Sequence, residues 1–341
     1  LDNLPTHYYA QMLYKYPQAA FPYEQLRAEN ARRGKDAVEY EILDTCVFDD
    51  DAYFDVLITY AKFGKRDIAI KIDVTNRGRQ AAPVTVVPTL WFFNRNHKGE
   101  QQPQIKWLSD CSVKASHKRM GNYYLYFQKP KKLIFTDNVT NQKKIFGKPN
   151  ADIFTKDAIN DAVVLGKNTS ALQQRKQGTK CAPVYHLLLE PGATKTVYLR
   201  LTDAMLDQPF PKDFAGIFSK RKQEADDFYN HIFGESLSPQ LKQIQRQAMA
   251  GLLWSKQFYY YDVERWIARG HEGEPPSEHR IKGRNHQWMH LKNQDIILMP
   301  DKWEYPWYAA WDLAFHCIAM AVADPVFAKH QLILLMREWY M

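Results

Sequence analysis

Apolar and polar positions alternate through much of residues 1–205, which is the spacing of half-buried β-strands. In the segment 66–75 every second residue is apolar, namely Ile68, Ile70, Ile72 and Val74. Further strands are predicted at residues 38–48, 53–62, 83–93, 122–128, 184–190 and 194–201. Short strands between turn residues, with little helical periodicity, predict an antiparallel β-sandwich over residues 1–205.

The period of the apolar residues changes to that of helices in the segment that follows. Residues 213–233 predict a helix, which we place in a linker over residues 206–236. Ser238 and Pro239 are residue types preferred at a helix N-cap and at the first helical position. They predict a helix that continues to Trp266.

Two more helices are predicted near the C-terminal end, one from Pro306 to Ala323 and one beginning at Pro325. Strands followed by consecutive helices, without alternation of the two, indicate two domains. The expected fold class is therefore multidomain, with a β domain over residues 1–205 and an α domain over residues 237–341.

Both ends of the chain lack the features of natural termini. It starts at Leu1 without an initiator methionine, and it stops at Met341 inside an apolar helical pattern that has no cap. We expect a fragment of a larger protein, truncated in both domains. No leader peptide is visible, and no apolar run approaches the ~18 residues of a membrane span, so we expect no membrane partner.

The four cysteines are widely spaced, at Cys46, Cys111, Cys181 and Cys317. This spacing favours reduced, buried thiols over a disulfide framework, and it predicts a cytoplasmic protein.

The net charge of +8 is concentrated in one segment. Residues 95–148 contain twelve Lys or Arg against three Asp or Glu, a balance of +9. Aromatic residues interleave these charges, so one interpretation is a module that binds polyanions. Solvated strand edges are the alternative, and because no nucleic-acid motif accompanies the charge, we predict no nucleic-acid partner.

Several common chemistries lack their motifs in this sequence. It contains no G-x-G-x-x-G, no Walker loop and no G-x-S-x-G, so nucleotide and acyl-transfer mechanisms have no support. His286 and His290 have a chelating spacing if they are helical, but no carboxylate or Cys completes a metal pattern. We therefore predict no cofactor and no metal.

The candidate chemistry lies in residues 301–316, where five aromatic residues occupy nine positions directly before Asp312. These five are Trp303, Tyr305, Trp307, Tyr308 and Trp311. Flat rings next to carboxylates suit a sugar, because its axial hydrogens lie on a ring face while its hydroxyls need directed partners. Asp312 among these rings would be partly desolvated, which favours the protonated carboxyl of a general acid. The alternatives are aromatic core and a helix Asp favoured by the macrodipole.

The segment RNHQWMHLKNQDIILMPDKWEYPWYAAWDLAFH, residues 284–316, resembles the region around the acid of glycoside hydrolase family 63. This family contains processing α-glucosidase I and bacterial relatives. The most specific match is W-D-x-x-F-H over residues 311–316. The segments LYKYPQAAFPYEQL and YFDVLITYAK also resemble the β domain of the bacterial members, so the resemblance covers most of the chain.

The resemblance implies a β-sandwich joined by a linker to the first helices of an (α/α)6 barrel. It implies inverting hydrolysis of α-linked glucosides or related sugars, with Asp312 as the general acid. The residues implied to line the sugar subsite are Trp288, Trp303, Trp307, Tyr308 and Trp311. The general base of the family lies further along the barrel, so we expect this chain alone to hydrolyse nothing. The alternative is a non-catalytic carbohydrate-binding protein.

Overall fold

A computed structural model describes residues 1–93, 102–234, 237–268, 275–299, 301–305 and 307–337. The chain forms two compact units, one of Met12–Phe218 and one that combines Leu1–Gln11 with Ser219–Met341. The division falls inside the predicted linker, and the predicted boundaries at 205 and 236 stay a prediction. None of the helices in the described ranges combines the length and apolar character that a bilayer span requires.

The helices and strands have the following bounds. The strands are β1 (Asp2–Asn3), β2 (Tyr9–Pro17), β3 (Tyr53–Gly64), β4 (Asp67–Asn76), β5 (Ala82–Val86), β6 (Leu90–Trp91), β7 (Gln104–Ser109), β8 (Ser112–His117), β9 (Gly121–Phe127), β10 (Lys132–Thr136), β11 (Gln177–Gly178), β12 (Lys180–Leu189), β13 (Thr194–Thr202), β14 (Lys256–Asp262) and β15 (Lys292–Leu298). The α-helices are α1 (Tyr23–Arg33), α2 (Gln142–Phe146), α3 (Ala158–Val164), α4 (Thr169–Gln174), α5 (Gly216–Phe233), α6 (Pro239–Trp254), α7 (Val263–Ala268), α8 (Glu278–Ile281), α9 (Ala310–Ala323) and α10 (Pro325–Arg337).

The unit Met12–Phe218 is built from two antiparallel sheets. The larger sheet runs in the order β2-β3-β4-β13-β9-β8-β7-β11, and the smaller one in the order β10-β12-β5, with β6 also paired to β12. One apolar core takes Phe54 and Phe127 from the larger sheet and Phe135 and Leu189 from the smaller one. A core shared by two antiparallel sheets is compatible with the predicted sandwich.

Strands form where apolar and polar residues alternate, because successive side chains of a strand point to opposite faces of the sheet. On β4, Ile72 and Val74 lie in the core between the sheets, whereas Lys71 and Asp73 face the other way and pair at 2.8 Å. The strands predicted at 53–62, 66–75, 122–128, 184–190 and 194–201 are confirmed as β3, β4, β9, β12 and β13. The strand predicted over 83–93 is split into β5 and β6 around Pro88, because proline has no N–H to pair.

The strand predicted at 38–48 is wrong. The amide of Asn30 in α1 binds both backbone groups of Tyr40, accepting from its N at 2.7 Å and donating to its O at 2.9 Å. These are the groups that a sheet would pair. A 3₁₀ turn follows at Leu43–Thr45, and Cys46 has a left-handed φ of 60°.

In the second unit, the segment Leu1–Gln11 packs on helices α5 and α6. Asp2 and Asn3 pair as β1 with Ala10 and Gln11 of β2. Arg246 of α6 donates to the carboxylates of Asp2 and, at 2.7 Å, of Asp226 in α5. The Tyr229 hydroxyl donates to the backbone oxygen of Asn3 at 2.6 Å. These contacts hold the N-terminal segment against the two helices.

The helix predicted from Pro239 to Trp266 is confirmed only as far as Trp254. The Ser255 hydroxyl donates back to the Leu252 oxygen at 2.7 Å, and the aromatic, β-favouring run that follows forms β14 instead. β14 pairs with β15 in an antiparallel two-stranded ribbon, Tyr259 opposite Asp295. The described residues thus place a ribbon between α6 and α9 in the sequence. They do not show the first helices of an (α/α)6 barrel, which the resemblance implies.

The side chain of Gln331 in α10 completes the hydrogen bonding of the ribbon. It is fully buried, accepts from the backbone N of Leu298 at 3.2 Å, and donates to the backbone O of Ile296 at 2.9 Å. These bonds satisfy backbone groups at the edge of β15.

Gly178 of β11 lies where the two sheets approach each other. A Cβ at this position would stand 2.2 Å from the backbone oxygen of Thr136 in β10. We expect Gly178→Ala to lower the free energy of unfolding by about 1–3 kcal/mol, because the sheets must shift. Gly64→Ala is the matched control, since nothing lies within 4 Å of its Cβ position. Urea unfolding followed by far-UV circular dichroism measures both; equal effects would contradict the close approach.

Arg246 is the side chain whose loss should weaken the second unit most. Arg246→Ala leaves the carboxylate of Asp2 without the cation of its described ion pair and leaves Asp226 with Lys222 alone, which costs about 3 kcal/mol. Lys292→Ala is the control, because its ion pair with Glu264 lies in the same unit, is exposed at both side chains and is worth less than about 1 kcal/mol. Seven of the nine Trp residues lie in this unit, so Trp fluorescence during urea unfolding reports on it. A similar small loss in both variants would show that the network contributes little.

Candidate functional site

The aromatic segment begins with a turn that Asp301 organises. The Oδ1 atom of Asp301 accepts hydrogen bonds from the backbone N of Trp303 at 2.7 Å and of Glu304 at 3.0 Å. The bond from Glu304, and then that from Trp303, lowers the pKa of Asp301 below its ordinary value. Asp301 is therefore an ionised carboxylate whose Oδ1 atom is engaged in the hydrogen bonds of the turn.

The rings of this segment are presented to solvent and not packed into a core. The side chain of Trp303 is 91% exposed and that of Trp311 is 75% exposed, while Tyr305 and Trp307 are about half exposed. Tyr305 and Trp307 meet edge to face with ring centroids 5.0 Å apart. Exposed ring faces next to polar backbone suit a ligand with both apolar and hydroxyl surfaces.

Helix α9 starts at Ala310 and not at Pro306, which lies outside the described residues. The residues before it form tight turns, in which the Trp307 N bonds the Tyr305 O and the Ala309 N bonds the Trp307 O. Asp312 consequently lies in the first turn, half-buried, where the partial positive charge of the helix N-terminus favours a carboxylate. Trp311, one of the rings expected around Asp312, is exposed, as is Phe315. The enclosure of Asp312 by rings stays a prediction.

Helix α9 has two apolar faces on opposite sides. Leu313, Cys317 and Met320 are buried against the ribbon and α10. A second stripe at helical spacing is exposed, and it consists of Trp311, Phe315, Ile318 and Val322. Asp312 lies on the flank between the two faces. A helix that is apolar on opposite sides has the pattern of a helix packed on both sides.

His316 lies one helical turn after Asp312 on the same flank. Its Nδ1 atom is buried and has no hydrogen-bond partner within the described part of the chain. Burial lowers the pKa of His316, and the Asp312 carboxylate raises it, so the two side chains interact electrostatically. Side chains of a helix lean toward its N-terminus, which directs the imidazole back toward Asp312. Tyr308 precedes the helix and does not share this face.

Tyr308 and Trp288 lie beside the ribbon rather than within the exposed segment. The ring of Tyr308 meets that of Tyr259 on β14 edge to face, at 5.7 Å. Trp288 is half-buried and packs against the cluster of Val263, Ile267 and Leu291, as Tyr261 of β14 does. The five predicted sugar-binding residues therefore divide into three exposed rings before or at the start of α9 and two half-buried rings along the ribbon.

Sequence reasoning missed the ribbon, and with it Asn293, Asp295 and Tyr259 next to Tyr308. The residue types over residues 292–298 do not alternate, because the first four are polar and the last three are apolar; the alternation appears only in the burial, with Asn293 and Ile297 buried while Gln294 and Ile296 are exposed. No element was predicted over this stretch, which forms β15. Its antiparallel partner, the run of aromatic residues in β14, was absorbed into a helix.

Other candidate groups are placed as follows. Among the described residues, no three His, Cys, Asp or Glu side chains are grouped as metal ligands, and His271 lies outside these residues.

No disulfide joins the cysteines, and Cys46 is exposed, in contrast to the expected burial of all four. In the basic segment, the ring of Trp107 lies 4.9 Å from the Nζ of Lys176, a residue outside that segment. The polyanion interpretation stays a prediction.

No known protein-family model matches the chain. The chain is 36% identical, over an alignment of 392 residues, to the uncharacterized protein YMR196W of Saccharomyces cerevisiae. The alignment covers 100% of this chain and 36% of the yeast protein, so the chain spans about a third of that relative's length.

Two solved structures were also found. A candidate kojibiose phosphorylase from the human microbiome overlaps with a TM-score of 0.27 and 10% identity, covering 64% of this chain and 24% of its own. A galactose mutarotase-like protein from Lactobacillus casei overlaps with a TM-score of 0.26 and 9% identity. The overlap covers 57% of this chain and 69% of that protein. TM-scores this low do not establish a shared fold.

The electrostatic interaction between Asp312 and His316 makes a testable prediction. Because Asp312 raises the pKa of His316, Asp312→Asn should lower that pKa further below its ordinary value of about 6.5. An NMR titration of the imidazole signals measures the shift, with His316→Gln to assign the signal and Glu264→Gln as a control with a distant carboxylate. An unchanged pKa in Asp312→Asn would show that the two side chains are turned apart.

The lowered pKa of His316 also sets the sign of a pH effect. The unfolded chain protonates this histidine more readily than the folded chain does, so its contribution to stability is present above about pH 6.5 and is lost as the pH falls toward the lowered pKa. His316→Gln should remove that part of the dependence.

Proposed function

We propose that this chain carries the general-acid half of the active site of an inverting glycoside hydrolase that acts on α-linked glucosides or related sugars. Asp312 is the acid that protonates the leaving oxygen. The exposed rings of Trp303, Trp307 and Trp311 receive the sugar, together with Tyr308 and Trp288, which pack along the ribbon. Carbohydrate is the partner of this site.

The observation that carries the proposal is the exposure of the aromatic segment directly before a helix whose first turn holds a carboxylate. Core rings would be buried, yet Trp303 and Trp311 are among the most exposed large apolar side chains. Exposing that much apolar surface is costly in water unless a partner covers it. The resemblance of residues 311–316 to the W-D-x-x-F-H segment of glycoside hydrolase family 63 supports a sugar as that partner.

An inverting reaction needs a second carboxylate, roughly 6.5–9.5 Å from the acid, to activate water. Asp301 does not suit this role, because its Oδ1 atom already accepts two backbone hydrogen bonds of the turn. We therefore place the base outside this chain, in the longer polypeptide, as the S. cerevisiae relative is longer than the aligned region.

A non-catalytic carbohydrate-binding protein is the second candidate. It is favoured by the position of Asp312 in the first turn of α9, where the helix macrodipole alone accounts for an aspartate. In this alternative the aromatic rings bind sugar, and Asp312 is a structural residue.

A measurement of turnover distinguishes the hydrolase from the non-catalytic binding protein. In a polypeptide that extends this chain to the length of the yeast relative, Asp312→Asn should lower kcat on α-linked glucosides by about 10²–10⁴-fold, because the leaving oxygen loses its proton donor. The 341-residue chain alone should show no turnover. Maltose hydrolysis followed by glucose release measures both.

Glu264→Gln is the matched control, since Glu264 is an exposed carboxylate on α7 that pairs only with Lys292 among the ion pairs described. It should leave kcat unchanged. Full activity in Asp312→Asn would exclude Asp312 as the acid. Sugar binding without turnover in the longer protein would favour the binding protein.

A further inference from the structure

The ribbon of β14 and β15 has two faces, and one of them adjoins the aromatic site. Residues directly opposite in an antiparallel pair share a face, and alternate residues along a strand return to it. The register therefore places Tyr259 beside Asp295 and Tyr261 beside Asn293 on one face. Tyr259 contacts Tyr308, so this is the face turned toward the proposed sugar site.

Helix α9 fixes the position of this face. Ile297, two residues after Asp295 on the same face, is fully buried in the cluster that contains Leu313 of α9. Asp295 thus lies two residues before the point where the helix covers the ribbon. It is half-buried and opposite Tyr259, whose ring contacts that of Tyr308. The Cα atoms of Asn293 and Asp295 are about 6.6 Å apart along the strand, a distance similar to the width of one sugar ring.

Two polar groups on this face are poorly satisfied by the described residues. The hydrogen bond found for the Asp295 carboxylate is a long one, from the backbone N of Gln294 at 3.3 Å, and no Lys, Arg or His of the described chain pairs with it. Asn293 is 1% exposed, and neither its Nδ2 nor its Oδ1 has a hydrogen-bond partner there. A buried amide without partners costs about 1–3 kcal/mol, so its retention calls for a role.

We infer that Asp295 is a further substrate-binding residue, which accepts hydrogen bonds from sugar hydroxyls on the ribbon face beside Tyr308, with the Asn293 amide behind it. A carboxylate and an amide between tyrosine rings match a neutral ligand that has vicinal hydroxyls and an apolar ring face. The inference rests on the proposed function, because it extends the same site from the exposed tryptophans along the ribbon toward Trp288. It assigns Asp295 to binding and not to proton transfer.

The test uses the 341-residue chain and maltose as the probe, with affinity measured by NMR titration. Asp295→Asn keeps the shape of the side chain and should weaken maltose binding about tenfold, the effect of losing one charge-assisted hydrogen bond. Gln294→Ala is the matched control, because Gln294 is the adjacent exposed residue on the opposite face. It should bind maltose like the unaltered chain, and thermal unfolding verifies that both variants fold.

A third variant, Trp303→Ala, separates this inference from the proposed function. If Trp303→Ala weakens maltose binding while Asp295→Asn does not, the ribbon subsite is overturned and the proposed site stands. If Asp295→Asn weakens binding while Trp303→Ala does not, Asp295 is a sugar-binding residue and the role given to Trp303 is wrong. If the unaltered chain binds neither maltose nor methyl α-D-glucopyranoside, the sugar site and its extension both fail.

Discussion

The guanidinium of Arg246 is the constraint on which the second unit depends. It joins Asp2 at the start of the chain to Asp226 on α5, and it stacks 4.8 Å from the centroid of the Tyr229 ring. Because the guanidinium and the two carboxylates are partly withdrawn from water, their pairing offsets the loss of hydration, and Lys222 adds a second cation beside Asp226. The network fixes α6, and α6 in turn brings Leu253 into the cluster that supports α9. The position of Asp312, the candidate acid, therefore depends on residues that are far from it in sequence.

The sequence predicted five strands of the two sheets correctly, because strand burial is a local, periodic signal. It predicted the ribbon poorly because the aromatic residues of β14 satisfy both a helix and a strand pattern, and only pairing with β15 decides between them. The strand at 38–48 failed for a comparable reason, since the Asn30 side chain captures the backbone of Tyr40. In one case a single side chain decides the structure, and in the other a partner strand 30 or more residues away decides it. In both cases the local pattern of apolar and polar residues does not distinguish a strand from the alternatives.

The candidate site was predictable as a set of residue types but not as an arrangement. Aromatic density before Asp312 identified the segment, and the structure places three of the rings in solvent as a ligand-binding surface requires. The separation of these residues into exposed rings and half-buried rings was not predictable. The ring of Tyr308 packs on Tyr259 of β14, and this strand had been predicted as part of a helix. A helix beginning at Pro306 would have aligned Tyr308, Asp312 and His316; the turns before Ala310 separate Tyr308 from the other two.

The exposed stripe of α9 connects the fold to the chemistry. On one side of this helix, Leu313, Cys317 and Met320 are buried against the ribbon and α10. On the other side, an apolar stripe at helical spacing is exposed, which is unfavourable in water; it consists of Trp311, Phe315, Ile318 and Val322. Asp312 lies on the flank between the two sides, so an element that covered the stripe would also remove water from this carboxylate. A sugar stacked on Trp311 would cover only the first residue of the stripe, so the proposed sugar site and the unpacked side of α9 are two separate requirements on what covers this helix.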